Sequence, residues 1–346
     1  MPRVTLGHEP SDGNRHMTAT GNRPARRARL LALRFDGEAV IALDQTLLPW
    51  RERYLRLTSA EAVADAIRRL AIRGAPLIGV AAAYGVALDP SPQACALLKA
   101  ARPTAVNLAH AVDRVAAAAD PRAEAQAIHR EEEASSDAIA GHGADHLTRA
   151  RTLLTHCNTG ALAAPGRGTA LAVVEELATR GSLRSVLITE SRPLLQGARL
   201  TAYELSALGI PYELIVDAAA AATIASGAVD AVIVGCDRVA ANGDVANKVG
   251  TYALALAAGA AGIPFVVAGP TSTIDLNCPS GAQITIEQRD PEEVRSVAGH
   301  LLTVPDAPCR NPAFDVTPAE KITALVTERG VASPVCTESV RGLIRG

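Results

Sequence analysis

The chain has 346 residues with 34 Lys and Arg against 36 Asp and Glu, and its net charge of −2 gives no broad basic field for nucleic acid or an anionic membrane. Hydrophobic residues make up 48% and aromatics 3%, an Ala- and Val-rich balance suited to helices packed on a parallel sheet, and the length leaves room for two domains. With no apolar run near the roughly 20 residues of a membrane span, no signal-peptide core and six cysteines without C-x-x-C or metal-finger spacing, a cytoplasmic chain without a metal site is expected.

In chain order, residues 1–29 carry six Arg (3, 15, 23, 26, 27 and 29) among Gly, Pro, Asn and Thr and read as a disordered arm. Residues 31–35 and 39–43 flank Asp36-Gly37 and read as a hairpin. Thr58-x-x-Glu61 has the form of a capping box opening a helix through Arg69. Pro76 opens a small-residue helix to Leu88, with further helices expected at 93–101, 105–118 and 122–139. Residues 30–145 therefore read as a small α+β domain.

From about residue 150 strands and helices alternate. Strands are expected at 152–155, 185–189, 212–216, 231–234 and 264–268, and helices at 168–180, 196–208, 218–225 and 249–261. Such alternation implies an α/β fold with a doubly wound parallel sheet over 146–346. Cys157, Glu190, Asp217, Asp237 and Thr271 follow the successive strands and fall on one rim, where open parallel sheets bind ligands.

The most polar connection is 235–250. It holds Asp237, Asp244 and Lys248, with Asn242 and Asn247, between an apolar strand and an Ala/Leu helix. Asp237 is expected on the rim, with Asn247 and Lys248 at a helix start that attracts anions. That points to a carboxylate facing an anionic ligand such as a phosphate. Arg73 and Arg102 stand at helix junctions beside prolines. Such a guanidinium reaches a bound phosphate or serves as an ordinary surface or capping arginine. No G-x-x-x-x-G-K-[ST] occurs, and Gly166-x-Gly168 leads to Leu171 instead of a third glycine, so no nucleotide cofactor is expected. His142 and His146 lack a third ligand, and His156 reads as a core or surface histidine.

Several stretches taken together resemble a known family. They are Leu43-Asp-Gln-x-Leu-Leu-Pro49, Ile72-Arg-Gly-Ala-Pro76 through Gly85, Arg102-Pro-Thr-Ala-Val-Asn-Leu108 and Cys157-Asn-Thr-Gly-Ala-Leu162. Further on come Glu190-x-Arg-Pro-x-x-Gln-Gly-Ala-Arg-Leu-Thr201, Asp237 through Tyr252, Pro270 through Asp275 and Asn311 through Pro318. In this order the chain, from about residue 30 onward, resembles S-methyl-5-thioribose-1-phosphate isomerases, relatives of the regulatory subunits of a translation-initiation exchange factor.

The resemblance implies a small amino-terminal domain, a Rossmann-like catalytic domain, a homodimer, a sugar-phosphate substrate in methionine salvage, and no cofactor, nucleic acid or membrane partner. It makes Asp237 the proton donor and Cys157 its partner at the reacting carbons. Arg73, Gly74, Ala75, Arg102, Gln196, Asn247 and Lys248 are implied to hold the sugar phosphate. Departures are mild: Ser191 stands where Thr is usual, Cys236 where a small residue is common, and 276–280 is atypical.

An aldose phosphorylated on its anomeric oxygen opens only once its ring oxygen is protonated, and a carboxylic acid in a dry pocket suits that step. Hydrogen then moves from C2 to C1, with Cys157 either a thiolate base or part of an apolar pocket for a hydride-type shift. Leu47, Leu48 and Trp50 are a candidate wall for a methylthio group. The rival substrates are 5-deoxyribose 1-phosphate and ribose 1,5-bisphosphate, and the rival class is a non-enzymatic sugar-phosphate-sensing subunit.

Overall fold

The computed structural model describes residues 30–103 and 105–345, so the Arg-rich arm lies outside the described residues. Strands β1 (Leu33–Phe35), β2 (Val40–Leu43) and β3 (Tyr54–Leu57) form an antiparallel sheet. Its first turn is closed by the Asp36 carboxylate, which accepts from the N–H groups of Glu38 and Ala39 (3.0 and 2.8 Å). Five helices follow: α1 (Ala60–Arg68), α2 (Ala75–Leu88), α3 (Pro92–Ala101), α4 (Val106–Ala116) and α5 (Pro121–His146).

Two details differ from the sequence expectation. The cap of α1 is Ser59, whose hydroxyl accepts from Ala62 N (3.2 Å), not Thr58. Helix α5 runs past Ile139 to His146 because Gly143 is a packing contact and not a stop. A Cβ there would lie 2.3 Å from a methyl of Val173. Helix α2 is apolar all round and buried among α1, α4 and α5, as an encircled helix must be.

The larger sheet has seven strands: β4 (Thr152–Thr155), β5 (Ser185–Thr189), β6 (Tyr212–Ile215), β7 (Ala231–Val234), β10 (Phe265–Ala268), β15 (Ala324–Thr327) and β16 (Gly330–Ala332). Between them, β8 (Arg238–Ala240), β9 (Val245–Lys248), β11 (Ile274–Asp275) and β14 (Phe314–Thr317) make a four-stranded sheet, and β12 (Ser296–Val297) and β13 (His300–Leu301) pair as a hairpin. The order β16-β15-β10-β7-β4-β5-β6 is parallel except for β16.

Helices α6 (Ala170–Thr179), α7 (Ala202–Leu208), α8 (Ala220–Ala225), α9 (Thr251–Ala261), α10 (Glu292–Arg295) and α11 (Thr337–Arg345) complete the element order. Both sheet faces are covered. Leu153, Val186 and Ile233 pack with residues of α5 and α6, and the alternate residues Leu154, Leu187 and Val232 pack with residues of α8 and α9. Burial on both sides is why these strands read as continuous apolar runs.

The parallel α/β expectation is met, with one local correction. Residues 235–250 do not run from strand into helix. Asn242-Gly243 makes a hairpin of β8 and β9, with Asn242 Nδ2 donating to Asp244 (2.9 Å), and this dipeptide is itself a hairpin signal. Asn247 and Lys248 thus lie on a strand paired with Asp315 and Phe314, ahead of α9.

Candidate active site

From β4 the chain winds outward through β5 to β6, then crosses back to place β7 on the other side of β4. The crevice beyond the carboxyl ends of β4 and β7 is the topological switch point. Cys157 follows β4 and Asp237 follows β7, and both line one cavity of about 400 Å³. Arg73, Gly74, Arg102, Gln196 and Lys248 line it as well. A side chamber of about 60 Å³ shares Arg73, Gly74, Arg102 and Asp237 and adds Ala75 and Arg238. Seven of the nine sequence-derived site residues therefore border the larger cavity, and Ala75 borders the side chamber that shares part of its lining. The ninth, Asn247, is buried and donates to Thr251 Oγ1 (2.9 Å) without lining either chamber.

Cys157 sits at φ 65°, in the left-handed region that a side chain rarely adopts. Two hydroxyls hold it there. Its N–H donates to Ser191 Oγ (2.8 Å), and its carbonyl accepts from Thr201 Oγ1 (2.6 Å). A serine at 191 supplies the same hydroxyl that threonine would. Backbone strain retained by surrounding bonds is common at reactive positions.

Asp237 lies within reach of opposing fields. Burial lifts its carboxyl above the ordinary range, while Lys248, Arg73 and Arg102 pull it back and Glu287 adds to the rise. Three cations here bond only to neutral groups in the contacts seen. Lys248 donates to Ala313 O (3.0 Å) and lies over the Phe314 ring. Arg73 grips both the side-chain and main-chain oxygens of Asn158. Arg199 donates to the carbonyls of Gln45, Thr46 and Leu48 at 2.8 to 3.1 Å. By contrast Arg102 is paired with Glu287 (2.8 Å), and Arg289 with Glu287 and Glu293. Arg73-Gly74 opens α2, where Pro76 carries no N–H and Leu77 N donates to Ala163 O (3.1 Å), so the N–H of Ala75 is the first-turn donor left without a partner in the helix. Positive charge not offset by carboxylates, gathered beside a helix start, is an arrangement for an anion.

The other rim residues have structural tasks. Asp217 accepts from the N–H groups of Ser191 and Arg192 (2.8 and 2.7 Å) and shapes the loop behind Cys157. Thr271 bonds to Glu328, and Glu190 lines neither chamber. His156 is a core histidine, between Thr189 Oγ1 (2.6 Å) and Val249 O (2.9 Å), and burial pushes its pKa down. Cys236 contacts Thr273 and is pushed up to about 12 by burial.

The expected thioether wall needs correction. Leu48 is fully buried in the amino-terminal core, Trp50 is 73% exposed with Arg199 over its ring, and neither they nor Leu47 line the cavity. The apolar lining is Leu70, Leu194, Leu200 and Phe314. Sequence reasoning also passed over Gln45, Arg199, Arg289 and Glu293. Gln45, Arg199 and Phe314 lay within recognisable stretches; Arg289 and Glu293 sit in a segment with no periodicity to mark them. No group of three or more potential metal ligands occurs among the described residues.

A family model described as the initiation factor 2 subunit family matches residues 92–334. A methylthioribose-1-phosphate isomerase of Anaeromyxobacter sp. (strain K) is 52% identical over 307 residues, covering 85% of this chain and 91% of that relative. Among solved structures, 5-methylthioribose 1-phosphate isomerase from Pyrococcus horikoshii OT3 superposes with a TM-score of 0.85 at 38% identity, covering 95% of this chain and 99% of that one. The delta subunit of translation initiation factor eIF-2B from A. fulgidus gives 0.81 at 34% identity, covering 92% and 100%.

Proposed function

The chain belongs to the initiation factor 2 subunit family, and we infer from this membership and its isomerase relatives that it is the aldose–ketose isomerase of methionine salvage. It converts S-methyl-5-thio-α-D-ribose 1-phosphate to S-methyl-5-thio-D-ribulose 1-phosphate, an intramolecular oxidoreduction. C2 loses hydrogen and is oxidised to the carbonyl while C1 gains hydrogen, so no external oxidant enters.

The observation that carries the site assignment is the meeting of Cys157 and Asp237 at the switch point, in a cavity bordered by Arg73, Arg102 and Lys248. We assign the phosphate to the end shared by both chambers, near Arg73, Gly74, Ala75 and Arg102, with Gln196 and Lys248 flanking the sugar. Asn247 acts on that end through Thr251 and the neighbouring Lys248. Asp237, whose carboxyl burial lifts above the ordinary range, gives a proton to the ring oxygen, and Cys157 stands at the carbons that exchange hydrogen. Binding energy from the phosphate, which is esterified to the oxygen on C1, is spent on orienting the two reacting carbons beside it.

The far end suits a thioether better than a second phosphate. Of the cations lining the cavity outside the side chamber, Arg68, Arg69 and Arg289 are each paired with a carboxylate (Asp65, Asp44 and Glu293) and Arg199 is tied to main-chain carbonyls, beside Leu70, Leu194 and Leu200. A regulatory subunit could dispense with the thiol and carboxyl that this cavity holds, which favours catalysis. Residues 30–145 and 146–346 are proposed as the two domains that close on the substrate. A homodimer is proposed on the exposed edge strand β6, where Leu214, and Val216 just past its end, are 49% and 56% exposed. No helix among the described residues is long and apolar enough to cross a membrane, and the cytoplasm is the proposed location.

Side-by-side rates on methylthioribose 1-phosphate, 5-deoxyribose 1-phosphate and ribose 1,5-bisphosphate test the substrate. The thiosugar is expected to have the highest kcat/KM; a preference for the bisphosphate would contradict the apolar far end.

A further inference from the structure

Behind the cavity wall lies a buried carboxyl that the reaction does not touch. Glu204, on α7, is 2% exposed, and its oxygens accept from Asn158 Nδ2 (2.8 Å), Ala161 N (2.7 Å) and Leu162 N (3.2 Å). It thus holds both ends of the segment that follows Cys157. Gly160 is where this carboxyl passes closest to the chain, since a Cβ there would lie 2.2 Å from Glu204 Oε2.

The bond to Asn158 also sets a direction. Both Glu204 oxygens accept from main-chain N–H groups, of Ala161 and Leu162, and receive the NH2 of Asn158 as a further donor, which turns the amide oxygen the other way. That oxygen is what Arg73 grips, together with the main-chain oxygen of the same residue (2.8 Å). We propose that Glu204 is a positioning residue for substrate binding: through the oriented amide of Asn158 it aims the Arg73 guanidinium at the phosphate of the sugar. Glutamine at 204 can present its own NH2 to Asn158, allow the amide to reverse, and set two donors face to face at Arg73. The pull of Arg73 on the Glu204 carboxyl, opposing the rise caused by burial, accords with this linkage.

The inference rests on the sugar-phosphate reading of the cavity. The experiment measures the Kd for inorganic phosphate and the KM for methylthioribose 1-phosphate in Glu204→Gln, Asn158→Ala, the double variant and Leu205→Ala. Leu205 neighbours Glu204 on α7 but packs into the sheet core, so its truncation reports mere destabilisation. Glu204→Gln and Asn158→Ala are each expected to raise both constants roughly tenfold, a loss of about 1.4 kcal/mol. The double variant is expected to lose no more than either single, because both break one linkage. Leu205→Ala should lower Tm while leaving both constants in place. The proposal is overturned if Glu204→Gln stays within about twofold of the parent, or if Leu205→Ala shifts the constants equally. Should Glu204→Gln fail to fold, Asn158→Ala decides alone, and an unchanged phosphate Kd in it overturns the proposal. A parent protein that binds neither phosphate nor the ester would instead defeat the sugar-phosphate reading itself.

Discussion

Gly74 shows how narrow the tolerance is around the phosphate end. Its φ of 95° is unfavourable for any side chain, and an added Cβ would lie 2.3 Å from the carbonyl oxygen of Ala163. The contact is with backbone, which has little room to retreat because Leu77 N donates to that same carbonyl (3.1 Å). Gly74→Ala should therefore cost on the order of 2–4 kcal/mol in urea unfolding and weaken substrate binding besides. A variant unfolding at the parent's midpoint would show that the turn relaxes freely. At this scale the sequence was a good guide to proximity. Arg73, Gly74, Ala75, Arg102, Cys157, Gln196, Asp237 and Lys248 were all named from their motifs and border two cavities that share part of their lining. Leu47, Leu48 and Trp50 misled because apolar character alone does not say whether a side chain faces a core or a cavity.

Among the elements, the π-helical turn Gly197–Thr201 ahead of α7 does the most to connect the two halves. Such turns are rare and cluster at functional sites. Here the turn presents Arg199 to carbonyls of the loop that follows β2, and Thr201 to the carbonyl of Cys157. Gly197 is required because a Cβ would fall 1.8 Å from Thr189 O. Arg199→Lys keeps the charge but not the planar fork. It should lower stability by about 1.5–3 kcal/mol and raise KM, read by urea unfolding and steady-state rates; unchanged values in both would dismiss the brace. Periodicity located five of the seven strands of the large sheet almost to the residue, since burial on both faces leaves long apolar runs, but it did not reach β15 and β16. It did not find the π-turn, nor the β8–β9 hairpin, whose residues serve a small sheet and a ligand site at once. Polar functional stretches carry weak periodicity, and there the Asn242-Gly243 turn signal was the better guide.

For the molecule as a whole, the amino-terminal helices meet the large sheet through a half-buried acid. Glu132 on α5 is pushed up to about 7 by burial, with Glu328 and Glu131 adding to the rise, while the Ser272 hydroxyl donates to it (3.2 Å). The folded value lies above the ordinary value of 4.5. This group's contribution to stability is therefore complete below that ordinary value and is lost as pH rises through about 7. Glu132→Gln should narrow the difference in Tm between pH 5 and pH 8 seen in the parent; an identical pH dependence would place the titration elsewhere. The packing of these helices on the sheet brings Arg73 and Arg102 to a rim built by β4 and β7, and no single segment of sequence displays that juxtaposition.

The central claim is that Asp237, its carboxyl lifted by burial, supplies the proton that opens the sugar ring, and Asp237→Asn tests it most directly. The variant should bind methylthioribose 1-phosphate with an affinity close to the parent's while turnover is lost, and the parent's kcat should fall as pH rises through the elevated value of this carboxyl. Turnover by Asp237→Asn at the parent's rate, with the same pH profile, would contradict the account.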